Sequence, residues 1–187
     1  MKILTFAATS SKESINKQLT GYATRLLEDG LVPDVIVTTI DLNDYEMPIY
    51  SIDRQNDTGI PQLAHDFFDE VGQADAVLIS FAEHNGFYTA AYKNLFDWAS
   101  RIDMRVYQDK PTIMLATSPG PGGGGNALQT AVSSAPFFGN DVRASLSIPN
   151  FYENFDTTSN SLTNSELDTQ LKTALATLST NAERKAA

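Results

Sequence analysis

The chain has 187 residues, 42% of them hydrophobic and 19% charged, which suits one packed domain and excludes a disordered polymer. It contains no cysteine and only two histidines, His65 and His84, which excludes disulfide scaffolds, thiolate metal sites, thiol nucleophiles and histidine cages. A formal net charge of −10 argues against nucleic acid and anionic membrane as partners, because those surfaces recruit Lys and Arg, yet it leaves room for a small anion held by backbone amides.

No stretch reaches the roughly 18 apolar residues of a spanning helix, and the opening run Ile3-Leu4-Thr5-Phe6 is too short for a secretion signal, so the expectation is a soluble, cytoplasmic protein. In chain order, residues 3–7 read as a short apolar strand and 14–29 as a helix with Ser14 at its start. Residues 35–42 read as the next strand. A long irregular crossover follows over 43–59, carrying Pro48, Asp53, Asn56, Asp57 and Gly59. Pro61 sits where a first-turn proline is tolerated, opening a helix over 61–73. Strand 76–81, helix 89–101, strand 112–116, helix 125–138 and strand 142–148 come next. A second irregular crossover spans 150–164, and Asn164-Ser165-Glu166 opens a last helix over 163–179. The pattern is βαβαβαβαβα, with strands apolar enough to be covered on both faces, and it predicts a doubly wound parallel α/β sheet. Residues 1–180 are expected to form a single domain, with a frayed tail at 181–187.

In such sheets ligands bind beyond the carboxyl ends of the strands, which selects three loops. The first, Ala7-Ala8-Thr9-Ser10-Ser11-Lys12-Glu13-Ser14-Ile15-Asn16, runs from a strand into a helix N-terminus, where Thr9, Ser11, Ser14 and Asn16 can donate to phosphate oxygens. Ser14 as a plain helix cap is the alternative. The loop lacks both the Gly-x-x-x-x-Gly-Lys-Ser/Thr of nucleoside triphosphatases and the Gly-x-Gly-x-x-Gly of dinucleotide sites, so a monophosphate suits it better than ATP or tightly bound NAD. The second loop, Phe81-Ala82-Glu83-His84-Asn85-Gly86-Phe87-Tyr88-Thr89, has an Asn-Gly pair that favours a tight turn, while His84 and Phe87 offer ring faces to a planar heterocycle. The alternative is a turn with packing aromatics. The third, Thr117-Ser118-Pro119-Gly120-Pro121-Gly122-Gly123-Gly124-Gly125-Asn126, removes side chains so that a ligand can approach the backbone, or else is a flexible linker.

Taken together, Ser14-x-Asn16, Glu83-x-Asn85-Gly86, Lys93-Asn94-x-x-Asp97-Trp98 and Ser118-x-Gly120-x-x-Gly123-Gly124 resemble, in order and spacing, the NADPH-dependent FMN reductase family of flavodoxin-like proteins, which includes azo-, quinone- and chromate-reducing members. The resemblance covers about residues 1–150. It implies a flavodoxin-like five-stranded sheet of order 2-1-3-4-5 with helices on both faces. It also implies an FMN with its phosphate on Thr9, Ser11, Ser14 and Asn16, its ring beside Glu83, His84, Asn85, Gly86 and Phe87, and further contacts from Ser118, Pro119 and Gly120. NADPH or NADH would reduce the flavin, which would pass electrons to a small acceptor such as a quinone, azo compound, metal ion or free flavin. No protein catalytic residue is named, because the chemistry belongs to the cofactor. The family's association through flavin-flanking helices implies a homodimer or homotetramer, for which Tyr92, Phe96 and Trp98 supply aromatic surface. The chain departs from the family pattern at Thr9 in place of serine, at Ser11 in place of arginine, and at Ala82 and His84 in place of proline and tyrosine. Losing the arginine removes an always-charged phosphate donor. Two other readings stand beside this one: a flavodoxin-like electron carrier without NAD(P)H turnover, and a non-enzymatic binding module that has lost its flavin.

Overall fold

Period-two burial dictates the architecture. Along β1 (Lys2–Ala8), Leu4, Phe6 and Ala8 enter one hydrophobic cluster while Ile3 enters another, as expected when successive side chains point to opposite faces. In β3 (Ala76–Phe81), Val77, Ile79 and Phe81 join the first cluster and Ala76 and Leu78 the second. With β2 (Ile36–Thr39), β4 (Lys110–Thr117) and β5 (Asn140–Ile148), these strands form an all-parallel sheet of order β2-β1-β3-β4-β5. This is the flavodoxin-like order 2-1-3-4-5. The computed structural model describes residues 1–179, so the frayed tail expected at 181–187 lies outside the described residues.

The first cluster is covered by α3 (Gln62–Gln73), α4 (Ala90–Ala99) and α5 (Gly125–Ser134). The second is covered by α1 (Ile15–Leu26) and α6 (Ser165–Ala176). Strand order reverses between β1 and β3, so the crevice beyond their carboxyl ends is the switch point where such sheets bind ligands. No helix among the described residues is long and apolar enough to cross a membrane.

Four local readings need correction. First, β2 is an edge strand with Ile36 exposed, not a strand buried on both faces, and it stops at Thr39 because residues 42–45 tighten into a 3₁₀ turn capped by Asp41. Second, the crossover read as irregular over 43–59 contains a helix, α2 (Ile52–Thr58), capped by the Ser51 hydroxyl and ended by Gly59 at φ +78°; it buries none of its residues and so shows no apolar stripe to read. Third, the crossover at 150–164 holds a helical turn, Phe151–Asn154, and a two-residue hairpin, with the Phe151 and Phe155 rings stacked at 4.6 Å. Fourth, Tyr92 and Trp98 do not form an aromatic surface. Both are buried, and the strap at 47–50 closes over α4 through Trp98 Nε1 donating to the Pro48 carbonyl at 2.7 Å and Asn94 Nδ2 donating to the Met47 carbonyl at 3.0 Å.

Candidate functional site

The three loops do converge at the carboxyl ends of β1, β3 and β4, and a buried polar knot holds them there. Asn16 opens α1 with its side chain turned inward. Its Nδ2 donates to the Thr117 carbonyl at 3.1 Å, and its Oδ1 accepts from the Thr117 N–H at 3.1 Å and from the Ser80 hydroxyl at 2.7 Å. One amide thus ties the first loop to β3 and β4. These bonds occupy its oxygen and one of its two amide protons, so the structure gives Asn16 a part in holding the loops together. Thr89, absent from the sequence-derived site, makes the matching tie: its hydroxyl donates to the Ala8 carbonyl at 2.8 Å while accepting from the Tyr92 N–H at the start of α4.

Ser14 is the cap of α1, accepting from the Asn16 N–H at 3.2 Å, and keeps its own proton to donate. Thr9 is likewise buried, accepting from the Ser11 N–H at 3.1 Å, while Ser11 itself is exposed. The backbone N–H groups of Ser10, Lys12, Glu13 and Ser14 meet no acceptor among the described residues, and the first turn of α1 holds no acidic side chain. The positive end of this helix is open to an anion.

The second loop is a hairpin in which Glu83 pairs with Tyr88 and His84 with Phe87. Its turn residues, Asn85 at φ +53° and Gly86 at φ +78°, form the mirror-image turn that Asn-Gly favours. His84, Asn85, Gly86 and Phe87 are exposed along its tip. Glu83 is not. Gly124, which precedes α5, has no side chain to cap it, and Glu83 Oε2 instead accepts from the Asn126 and Ala127 N–H groups at 2.8 and 3.0 Å. The carboxylate therefore caps α5 rather than standing free beside a ring, and it clamps the hairpin to the glycine-rich loop. Glu83→Ala is expected to lower stability by about 1–2 kcal/mol, with Glu83→Gln between it and wild type because the amide keeps an acceptor. Urea unfolding of the flavin-free protein checks the order, and equal midpoints for all three would contradict the clamp.

The glycines of the third loop divide by function. Gly120 and Gly122 face open space, whereas a Cβ on Gly123 or Gly124 would meet Ser147, Pro149 and Ala116. Close approach of a ligand is open at the former pair; the latter serves internal packing. Ser118 turns its hydroxyl to the Gly120 carbonyl at 3.1 Å, and Pro119 is exposed.

Residues 1–153 match the model of the NADPH-dependent FMN reductase family. The chain belongs to that family. The FMN reductase match spans all three strand-end loops. Among curated relatives, an NADPH:quinone oxidoreductase of Arabidopsis thaliana is 28% identical over 124 residues, 66% of this chain and 61% of that protein. A 2-hydroxy-1,4-benzoquinone reductase of a Burkholderia species is 29% identical over 136 residues, 72% and 67% respectively. The chain thus spans about three fifths of the length of the plant relative it matches. Among solved structures, the flavoenzyme NAD(P)H:(acceptor) oxidoreductase FerB from Paracoccus denitrificans superposes with a TM-score of 0.74 at 23% identity, covering 98% of this chain and 97% of that one. That likeness shows a shared fold over 98% of the chain.

Proposed function

We propose that the protein is an FMN-dependent NAD(P)H oxidoreductase that passes electrons to small acceptors such as quinones or azo compounds. One observation carries the reading. Of the three helix N-termini that follow the strand-end loops, that of α4 is capped by the Thr89 hydroxyl and that of α5 is already neutralised by Glu83, whereas that of α1 has unpartnered N–H groups and no acid in its first turn, as a phosphate requires. The residues fit FMN: the α1 N-terminus with Ser11 and Ser14 for its phosphate, and the Asn85–Phe87 tip with Ser118, Pro119 and Gly120 beside its ring. When bound, the flavin supplies the hydride and electron chemistry. The protein's part is to hold and orient it. Asn16 and Thr89 fix the loops on the strand ends, and Glu83 sets the spacing of the hairpin from the glycine-rich loop. One domain carries the site, and the absence of cysteine fits the reducing cytoplasm.

Mass spectrometry of the heat-released ligand should find FMN, and the loaded protein should oxidise NADPH or NADH with quinone, azo or ferric acceptors. Bound FMN without pyridine-nucleotide oxidation would make it an electron carrier instead; no flavin even after soaking would make it a binding module. Ser11→Arg, which restores the family's guanidinium, is expected to tighten FMN about tenfold in a flavin titration through a charge-assisted hydrogen bond. Unchanged affinity would place the phosphate elsewhere. Association into a homodimer or homotetramer is part of the proposal, resting on the exposed Ile49 of the strap laid over α4, Ile52 at the start of α2 and Phe137 beyond α5. Light scattering at micromolar concentration decides it, a monomer counting against.

A further inference from the structure

A cavity of about 330 Å³ opens between α4 and α5, walled by Phe96 and Phe138, by Met114 of β4 and by Phe87 and Tyr88 of the hairpin. Neither Thr9 to Asn16 nor Ser118 to Gly120 lines it, so it is a separate space from the strand-end crevice. Its mouth carries Met104 and Phe87, 54% and 46% exposed. The rim charges Lys93 and Asp97 pair with each other at 2.6 Å, which leaves no net charge to attract an ion. Walls of this kind suit a planar apolar ligand, and the volume sits at the small end of ligand pockets.

Of the hydroxyls that line it, Ser100, Thr130 and Ser134 donate to the backbone carbonyls of Asp97, Asn126 and Thr130, and Tyr88 is hydrogen-bonded to Ser134, which leaves two buried phenols to consider. Tyr92 and Tyr107 both line the cavity, are buried, and share one hydrogen bond between their hydroxyls. Two phenols bring two protons and a single shared bond uses one of them. No other hydrogen bond to either hydroxyl occurs among the described residues. One buried O–H donor is therefore left over, in a setting where an unmade hydrogen bond is costly. Burial pushes both phenols well above their ordinary range, so both stay neutral and able to donate at any physiological pH.

We propose that this cavity binds an uncharged aromatic carbonyl compound of one or two rings, with its carbonyl oxygen accepting the spare phenolic proton. The apolar rings supply stacking and edge contacts, and the hydroxyl pair supplies orientation. Because the walls include Phe87 and Tyr88, an occupant touches the hairpin whose tip offers the flavin surface, yet binding here does not require that a flavin be present.

The test uses a redox-inert pair of probes, 2-acetylnaphthalene and its carbonyl-free counterpart 2-ethylnaphthalene, titrated by calorimetry into the full chain with and without saturating FMN. The ketone should bind about tenfold more tightly in both states, the value of one buried hydrogen bond. Removing both hydroxyls together, in Tyr92→Phe/Tyr107→Phe, leaves the shape intact and no orphan partner, so the two probes should bind alike and the hydrocarbon as in wild type. Met104→Trp, at the mouth, should weaken both probes without altering the preference. The proposal is overturned if neither probe binds at millimolar concentration, if wild type does not distinguish them, if the preference survives the double substitution, or if the ketone displaces FMN. Should the double variant fail to fold, the wild-type preference and the Met104→Trp titration decide the matter. Absence of flavin binding would sink the proposed function and leave this result standing.

Discussion

Gly123→Ala is expected to lower folding stability by about 3–5 kcal/mol, while Gly122→Ala, one residue earlier, changes it by less than about 1 kcal/mol. A Cβ at Gly123 would lie 2.1 Å from Ser147 Oγ and 3.1 and 3.2 Å from the N and Cα of Pro149, and the residue holds φ +58°. The new methyl would have to displace the Ser147 hydroxyl, which now donates to the Gly123 carbonyl at 2.9 Å. It would also press on a backbone that cannot swing away. The left-handed conformation adds roughly 1–2 kcal/mol for any residue with a Cβ. At Gly122 nothing lies within 4 Å of the added carbon and φ is not positive. Urea midpoints with unchanged slopes measure the contrast. Adding Ser147→Ala to Gly123→Ala should recover the part due to the hydroxyl and no more, since Pro149 and the dihedral remain. Equal midpoints for the two glycine variants would show that the loop moves freely and that Gly123 serves no packing purpose.

How far the fold was readable depended on how each segment announces burial. β1 from Ile3 and all of β3 are buried, and such runs stand out against polar neighbours. The alternation of runs with helical stretches then implies parallel strands, although the order 2-1-3-4-5 came with the family resemblance. α2 is silent in the sequence for the opposite reason: its stability rests on Ser51 and Gly59 at its ends, not on a buried stripe. The aromatics of α4 read as surface because nothing local to residues 92–98 reveals that the strap at 47–50 closes over them.

The same limit governs the site. Spacing located the three loops, and the mirror-image turn at Asn85-Gly86 follows from the residue types alone. Direction of side chains did not follow. Glu83 meets α5 across 43 residues and Asn16 meets Thr117 across 101, so both look like loop polars available to a ligand until the chain is folded. The residues that remain directed at open space are Ser11, the hairpin tip and the open glycines. A family motif therefore mixes two kinds of residue, some that face the cofactor and some that hold those in place.

Asn16 separates the two kinds by experiment. Asn16→Ala removes one amide and strands three partners, the Ser80 hydroxyl and both backbone groups of Thr117, and is expected to lower the stability of the flavin-free protein by about 2–4 kcal/mol. A residue that served only as a phosphate donor would lose FMN affinity with the apoprotein untouched. Asn16→Asp sharpens the distinction through pH. The carboxylate keeps the acceptor for Ser80 and the Thr117 N–H but loses the donor to the Thr117 carbonyl, and desolvation at this buried position raises its folded pKa above the unfolded value of about 3.9. A raised folded pKa means that the stabilising protonated form, which can donate to Thr117, is fully present below the unfolded pKa and is lost as pH rises through the folded one. The deficit of Asn16→Asp relative to wild type should therefore be smaller at pH 5 than at pH 8, when both are unfolded in urea without flavin. A deficit independent of pH would mean that the carboxylate escapes to solvent, and the knot at the strand ends would then be looser than the hydrogen bonds of Asn16 require.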